Sequence, residues 1–340
     1  MPINSLINGI SDRLGIPVDR LSRSVESLKD LKLIEYDESS ELRSVELTGI
    51  GEILKRILIE GESLPEFLMV PTKSGLKPLG AVVKDVRKNI LRMVAEAGSG
   101  HIGASFSTVE ILCVLYFLKM KKDPKNPGWS ERDLLILSKG HAAPALYAIL
   151  SEAGYFPEIE LLRLRELGSI LQGHPDLRTP GVDFISGSLG QGLSAAIGFA
   201  LAAKMDGSSR RIYVILGDGE LNEGQIWEAA LTASHLKLDN ITTIIDRNYY
   251  QLSGETEKIK ALDPLEDKWI AFGWEVFEAE GNDLKSLIRT LDASSLVKGK
   301  PSLVIAKTTK GKGVSFMEGN SFTNKAPSTA ELSKAYEELT

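Results

Sequence analysis

RIYVILGDGELNEG, residues 211–224, decides the fold. The stretch RIYVIL is a run of β-branched, aromatic and aliphatic residues with no polar interruption after its arginine, which predicts a strand over 211–216 buried on both faces. Gly-Asp-Gly then stops the strand, and a helix is expected over 222–236. Asp-Gly by itself is ordinary turn chemistry, so the meaning of Asp218 rests on its surroundings. Of the two glutamates that follow, Glu220 reads as a solvated first-turn carboxylate favoured by the helix dipole.

Working outward, the same alternation recurs. Helices are expected at 80–97 and 108–120, followed by the apolar run 134–137 and a small-residue helix at 190–204. After the 211–216 strand and its helix come strand ITTIID (241–246), a helix near 264–272, strand WEVFEA (274–279), a helix at 283–295 and strand SLVIAKT (302–308). Apolar strands separated by amphipathic helices imply an α/β fold, a doubly wound, mainly parallel sheet with helices on both faces. In that architecture ligands gather at the carboxyl ends of the strands. STAELSKAYEELT, from residue 328, reads as a short helical tail.

The first 60 residues differ. A short helix ends at Gly15, and a second carries the stripe Leu21, Val25, Leu28 and Leu31. Two alternating segments, 33–36 and 43–47, flank the polar turn DESSE, and Thr48 could cap a closing helix. That order is a winged helix-turn-helix-like domain over 1–60, joined by a linker at 61–78 to a domain at 79–340. Its 8 Lys+Arg against 11 Asp+Glu leave a net of −3. Phosphate contact wants positive charge, so a protein-contact role is favoured over nucleic acid for residues 1–60.

Bulk composition agrees with a soluble enzyme-sized chain of 340 residues: 43% hydrophobic, 25% charged, net charge −6. The acidic balance argues against broad nucleic-acid binding. A single cysteine, Cys113, falls in an apolar run and is expected in the core, and a reducing, cytoplasmic setting follows from the lack of a disulfide framework. No apolar run approaches a membrane span, and the start MPINSLINGISDRL lacks a signal-peptide layout.

Asp218 and Asn248 stand about 30 residues apart, one βαβ unit, so they should converge at adjacent strand ends. A carboxylate, an amide oxygen and a backbone carbonyl just past Asn248 form a hard oxygen set suited to Mg²⁺ or Ca²⁺. Because Mg²⁺ usually completes its shell with phosphate oxygens and water, the pattern points to a metal-bound di- or triphosphate.

At this point the sequence resembles transketolase. GDGELNEGQIWEAA with DRNYYQLSG, GHPD (173–176), SGSLGQGLSAAIGFALAAK (186–204), SKGH (138–141), SGHIGAS (99–105) and KTTKGKGVSFMEGN (307–320) are similar, in order, to the diphosphate-binding part of that family. The resemblance implies thiamine diphosphate as cofactor. Asp218, Asn248 and the carbonyl of Tyr250 match the family's metal ligands. Gly217 and Gly219, with Gly187, allow close backbone approach to the cofactor, Leu189 packs on its aminopyrimidine ring, and Glu223 meets a glutamate of a neighbouring subunit. Three of the four histidines, His101, His141 and His174, match positions that line the cofactor and substrate channel and shuttle protons. His235 reads as structural.

Two departures bear on substrate. Ser321–Pro327 lacks the histidine the family usually carries there, leaving Thr323 or Asn324 as donors, and Gly281-Asn282-Asp283 stands where Gly-His-Asp is common. The pyrimidine-binding domain, with the glutamate that activates the cofactor, lies in the family after the segment where this sequence ends. The resemblance therefore implies the amino-terminal subunit of a split transketolase, active with a pyrimidine-domain partner in a two-plus-two assembly acting on sugar phosphates. The alternatives are a 1-deoxyxylulose-5-phosphate synthase-like or specialised sugar enzyme, and a winged-helix regulator that senses thiamine diphosphate.

Overall fold

The computed structural model of the chain describes residues 68–319 and 325–340, together with the backbone of two short strands nearer the start. Those two, β1 (Ile34–Tyr36) and β2 (Val45–Leu47), pair antiparallel. The helices expected on either side of them lie outside the described residues, as do Thr323 and Asn324.

The larger compact unit is Met69–Thr340. It opens with a hairpin, β3 (Met69–Thr72) and β4 (Gly75–Pro78), in the second half of the stretch expected to be linker. Helix α1 (Leu79–Glu96) follows directly, started by Pro78. Residues 108–120, expected as one helix, divide into a helix and a π-helical turn, with a further short helix before them. Helices α2 (Ile102–Phe106) and α3 (Val109–Val114) are followed by a π-helical turn at Leu115–Lys119.

Five strands form one parallel sheet in the order β10 (Glu275–Glu280), β11 (Ser302–Lys307), β7 (Ile241–Arg247), β6 (Ile212–Gly217), β5 (Leu134–Leu137). A short hairpin, β8 (Tyr250–Gln251) and β9 (Gly254–Glu255), follows β7 outside this sheet. The side chains of the large sheet alternate between two cores. Leu135, Leu137, Tyr213, Ile215, Ile244 and Val304 face one, packed with α1, α3 and helix α4 (Ala143–Ala153). Leu134, Ile136, Val214, Leu216, Ile245 and Ile305 face the other, under helix α5 (Gln191–Met205) and helix α6 (Gly224–His235). Burial on both faces is what an uninterrupted apolar strand requires, and the doubly wound reading of the sequence holds.

Helices α7 (Leu265–Ala271) and α8 (Leu284–Ser295) complete the layers. The tail forms α9 (Thr329–Glu338), begun by a capping box in which the Ser328 hydroxyl accepts from the Glu331 amide and Glu331 accepts from the Ser328 amide. Helix α4 escaped the sequence reading because all eleven of its residues are buried. It shows no polar stripe from which a helical period can be read. Cys113 is fully buried, as expected.

Candidate functional site

The four adjacent strands β11, β7, β6 and β5 end in one place, and each continues into a chemically loaded segment. Strand β5 runs into Ser138-Lys139-Gly140-His141, β6 into Asp218-Gly219, β7 into Asn248, and β11 into Thr308-Thr309-Lys310. Register pairs Gly217 with Asp246 across β6 and β7, which sets Asp218 beside the start of the Asn248 turn. A cavity of about 430 Å³ opens over these ends. Eleven of the residues singled out in the sequence line it: His101, His141, His174, Gly187, Leu189, Gly217, Asp218, Gly219, Glu223, Asn248 and Tyr250.

Asp218 is buried, and its Oδ1 accepts from the Gly219 amide at 2.8 Å, while its Oδ2 accepts from the Tyr249 amide at 2.6 Å and from Arg247 at 3.4 Å. Burial, reinforced by the neighbouring Asp246, pushes its carboxyl up to about 6. Asn248 is oriented from behind. Its Nδ2 donates to Asp246 Oδ2 at 2.9 Å, and its Oδ1 accepts from the Tyr250 amide at 3.1 Å. Tyr249 takes a left-handed backbone (φ 66°) to make this turn, and its ring stacks against the Arg247 guanidinium at 4.5 Å.

Beneath these residues lies a buried ionic cluster that the sequence reading did not single out. Lys139 and Asp246 form an ion pair at 1% and 0% exposure. Asp246 also accepts from Ser107 at 2.7 Å and Thr308 at 2.5 Å, and Lys139 donates to the Ala104 carbonyl at 3.0 Å. Burial alone would raise the Asp246 carboxyl, but Lys139 and the hydroxyl donors hold it below the usual range. Lys310 also lines the cavity. Its ammonium makes no hydrogen bond among the described residues and sits 5.4 Å from the Tyr250 ring. Burial and then the Lys139 charge bring it down to about 8. Both lysines sit inside SKGH and KTTKGKG, so the signal was present in motifs noticed for other residues.

The three cavity histidines all have lowered pKa values. Burial, with Arg165 next, brings His101 down to about 4. Burial, then Lys139, takes His141 to about 3. His174 is lowered by burial and Arg165. The His101 and His141 rings lie 5.3 Å apart. A neutral imidazole whose conjugate acid is that acidic is a weak general base, and it serves better as a hydrogen-bond donor to a developing oxyanion. The fourth histidine, His235, stands at the end of α6 and is not part of the cavity lining.

One expectation needs correction. Glu220 is not solvated but 2% exposed. It is drawn inward because Ser138, Gly190 and Gly217 all aim donors at its carboxylate. Asn282 stands outside the cavity lining. It donates to Glu110 at 3.1 Å and accepts from the Thr309 amide at 2.8 Å, while Asp283 caps α8. Asn282 thus ties the loop after β11 to α3. Gly219 also packs tightly against the protein: a Cβ there would sit 2.7 Å from Gln251 Cβ, whereas at Gly217 the nearest atom would be 3.7 Å away.

The residues present suit an anionic, metal-bound ligand with a polar organic part. Two lysines and a buried carboxylate line the cavity, and the buried His101 Nδ1 lacks a partner among the described residues. Gly187 (φ 155°) keeps the backbone within reach of His174, since a Cβ there would lie 3.3 Å from that ring.

The doubly wound sheet and this strand-end cavity define a nucleotide- or diphosphate-type α/β binding domain. Residues 80–337 match the profile of the transketolase thiamine diphosphate binding domain, and the chain belongs to that family. The 6-deoxy-6-sulfo-D-fructose transketolase subunit SqwG of Clostridium sp. (strain MSTE9) is 49% identical over 252 residues, 74% of this chain and 91% of that protein. An apulose-4-phosphate transketolase subunit of Actinobacillus succinogenes is 48% identical over 274 residues, 80% of this chain and 99% of that protein. The crystal structure of transketolase from Campylobacter jejuni superposes with a TM-score of 0.73 at 34% identity, covering 77% of this chain but 42% of that one. The chain thus spans less than half the length of that solved transketolase.

Proposed function

We propose that the chain is the diphosphate-binding subunit of a two-chain transketolase, moving a two-carbon ketol unit between sugar phosphates or sugars with a comparable anionic end. The observation that carries this reading is the convergence of Asp218, Asn248 and Tyr250 with Lys139, Lys310 and three histidines in one cavity. The near full-length match to relatives named as transketolase subunits supports it.

Asp218, the Asn248 side-chain oxygen and the Tyr250 carbonyl would hold Mg²⁺ (or Ca²⁺), with Lys139 and Lys310 balancing the diphosphate charge. Thiamine diphosphate, when bound, supplies the electron sink for carbon–carbon bond cleavage. Leu189 offers an apolar surface for its aminopyrimidine ring. His101 and His174 donate hydrogen bonds to substrate oxygens and stabilise charge that builds there. Glu223, exposed at the start of α6 and lining the cavity, would meet a residue of the second subunit. The carboxylate that activates the cofactor comes from the pyrimidine-domain partner, in a two-plus-two assembly.

Relatives named for a sulfo-sugar and for apulose 4-phosphate favour a specialised sugar over the standard pentose phosphates. The deciding experiment reconstitutes the tagged chain with the pyrimidine-domain protein that copurifies with it. Two-carbon transfer from a ketose phosphate, abolished by Asp218→Ala, is expected. If Mg²⁺–thiamine diphosphate binds the Asp218→Ala assembly as tightly as wild type, the site assignment falls.

A further inference from the structure

Glu220 stands two residues past Asp218 and belongs to none of the roles assigned above. Its carboxylate is 2% exposed and touches three segments. Oε1 accepts from Ser138 Oγ at 2.5 Å and from the Gly190 amide at 2.8 Å, and Oε2 accepts from the Gly217 amide at 3.0 Å. The Ser138 hydroxyl in turn accepts from the Gly192 amide at 3.2 Å. One side chain therefore joins the SKGH segment, the glycine turn that carries Leu189, and the strand end that carries Asp218.

The segments around this carboxylate are packed too closely to move aside. Gly192 and Ser138 approach so nearly that a Cβ on the glycine would fall 2.5 Å from Ser138 Cβ. Gly190 has φ 85°, and a Cβ there would fall 2.9 Å from Glu223 Cβ. Two of the three donors are backbone amides with no freedom to turn away. Only a group with two acceptor oxygens satisfies all three, since a carboxylate carries acceptors alone and an amide does not.

We propose that Glu220 is a positioning residue that fixes Leu189, Gly217 and Asp218 in the geometry that receives the cofactor, through the Gly190, Gly217 and Ser138 hydrogen bonds. The inference rests on the reading of the cavity as a thiamine diphosphate site. Glu220→Gln keeps the size but turns an NH₂ against the Gly190 or the Gly217 amide, so it does not rescue. Glu220→Ala leaves all three donors unpaired. Ser138→Ala leaves both amide bonds in place.

The test uses the full chain and two readouts. Hydrogen exchange on the ligand-free protein should show faster exchange at Gly190 and Gly217 in both Glu220 variants, with α4 unchanged. Titration with Mg²⁺ and thiamine diphosphate should give a dissociation constant raised about 10- to 100-fold for Glu220→Gln and Glu220→Ala, the scale of lost supporting contacts behind a ligand, and less than about fivefold for Ser138→Ala. Lower melting temperature with unchanged exchange and affinity would mean a merely structural role and overturn the proposal. Faster exchange at the two glycines with unchanged affinity would also overturn it, while leaving the cavity reading intact. Wild-type protein that binds no Mg²⁺–thiamine diphosphate, alone or with its copurifying partner, overturns the cavity reading and the proposal together.

Discussion

At the scale of single residues, burial is the main force on the site's protonation. Asp218 titrates near 6 because desolvation and Asp246 disfavour its charge. A carboxyl must be ionised to hold a divalent cation, so cofactor affinity should be flat above pH 7 and fall about tenfold per unit as pH drops below about 6. Calorimetric titrations between pH 5 and 8 check this, and an affinity flat down to pH 5 would contradict it. Arg165 sits in a left-handed conformation (φ 67°) with Nη1 donating to Ser99 at 2.8 Å, and its charge lowers both His101 and His174. Arg165→Ala should therefore raise both imidazole pKa values, most visibly that of the less buried His174. An NMR titration of the two rings measures it; unchanged values would show that burial alone sets them.

At the scale of elements, the site is held by loops that brace one another and by helices that fill the space behind them. Buried α4 packs its whole surface. Ile149→Ala removes a side chain with no exposure and should cost about 2–5 kcal/mol, read as a lower urea midpoint. Asn282 joins the loop after β11 to Glu110 on α3. Asn282→Ala, which leaves the Thr309 amide unpaired, should cost about 1–3 kcal/mol of stability and leave substrate KM within about twofold. A large rise in KM at unchanged stability would give Asn282 a part in substrate binding instead.

At the scale of the whole molecule, folding and binding are linked. A ligand that binds only the folded chain at a hundred times its dissociation constant adds about 2.7 kcal/mol. Mg²⁺–thiamine diphosphate should accordingly raise the melting temperature of the wild-type chain, and Asp218→Ala should lose that rise. A rise that survives the substitution would place the ligand elsewhere. The sheet and both its cores were legible from residue 79 onward, because a strand buried on two faces and a helix buried on one write their periods into neighbouring residues. Eleven of the cavity-lining positions were legible as well, because they occupy motifs at strand ends or in the glycine- and histidine-bearing segments that resemble the family.

Along the chain, what the sequence determined by itself was local: the strands at 211–216 and 241–246, the turn at Gly-Asp-Gly, and the convergence of Asp218 and Asn248 on one cavity across one βαβ unit. The tertiary structure alone decided what the linear pattern leaves open. Glu220 looks like a surface carboxylate in sequence, yet it is buried because donors from 82, 30 and 3 residues away meet at its oxygens. Asn282 stands in sequence only as a departure from Gly-His-Asp, and the structure shows it tying a loop to a helix. Lys310 is one lysine among several until burial lowers its pKa and leaves it facing the cavity. Burial and convergence depend on which distant segments pack together, and no residue carries that information in its own neighbourhood.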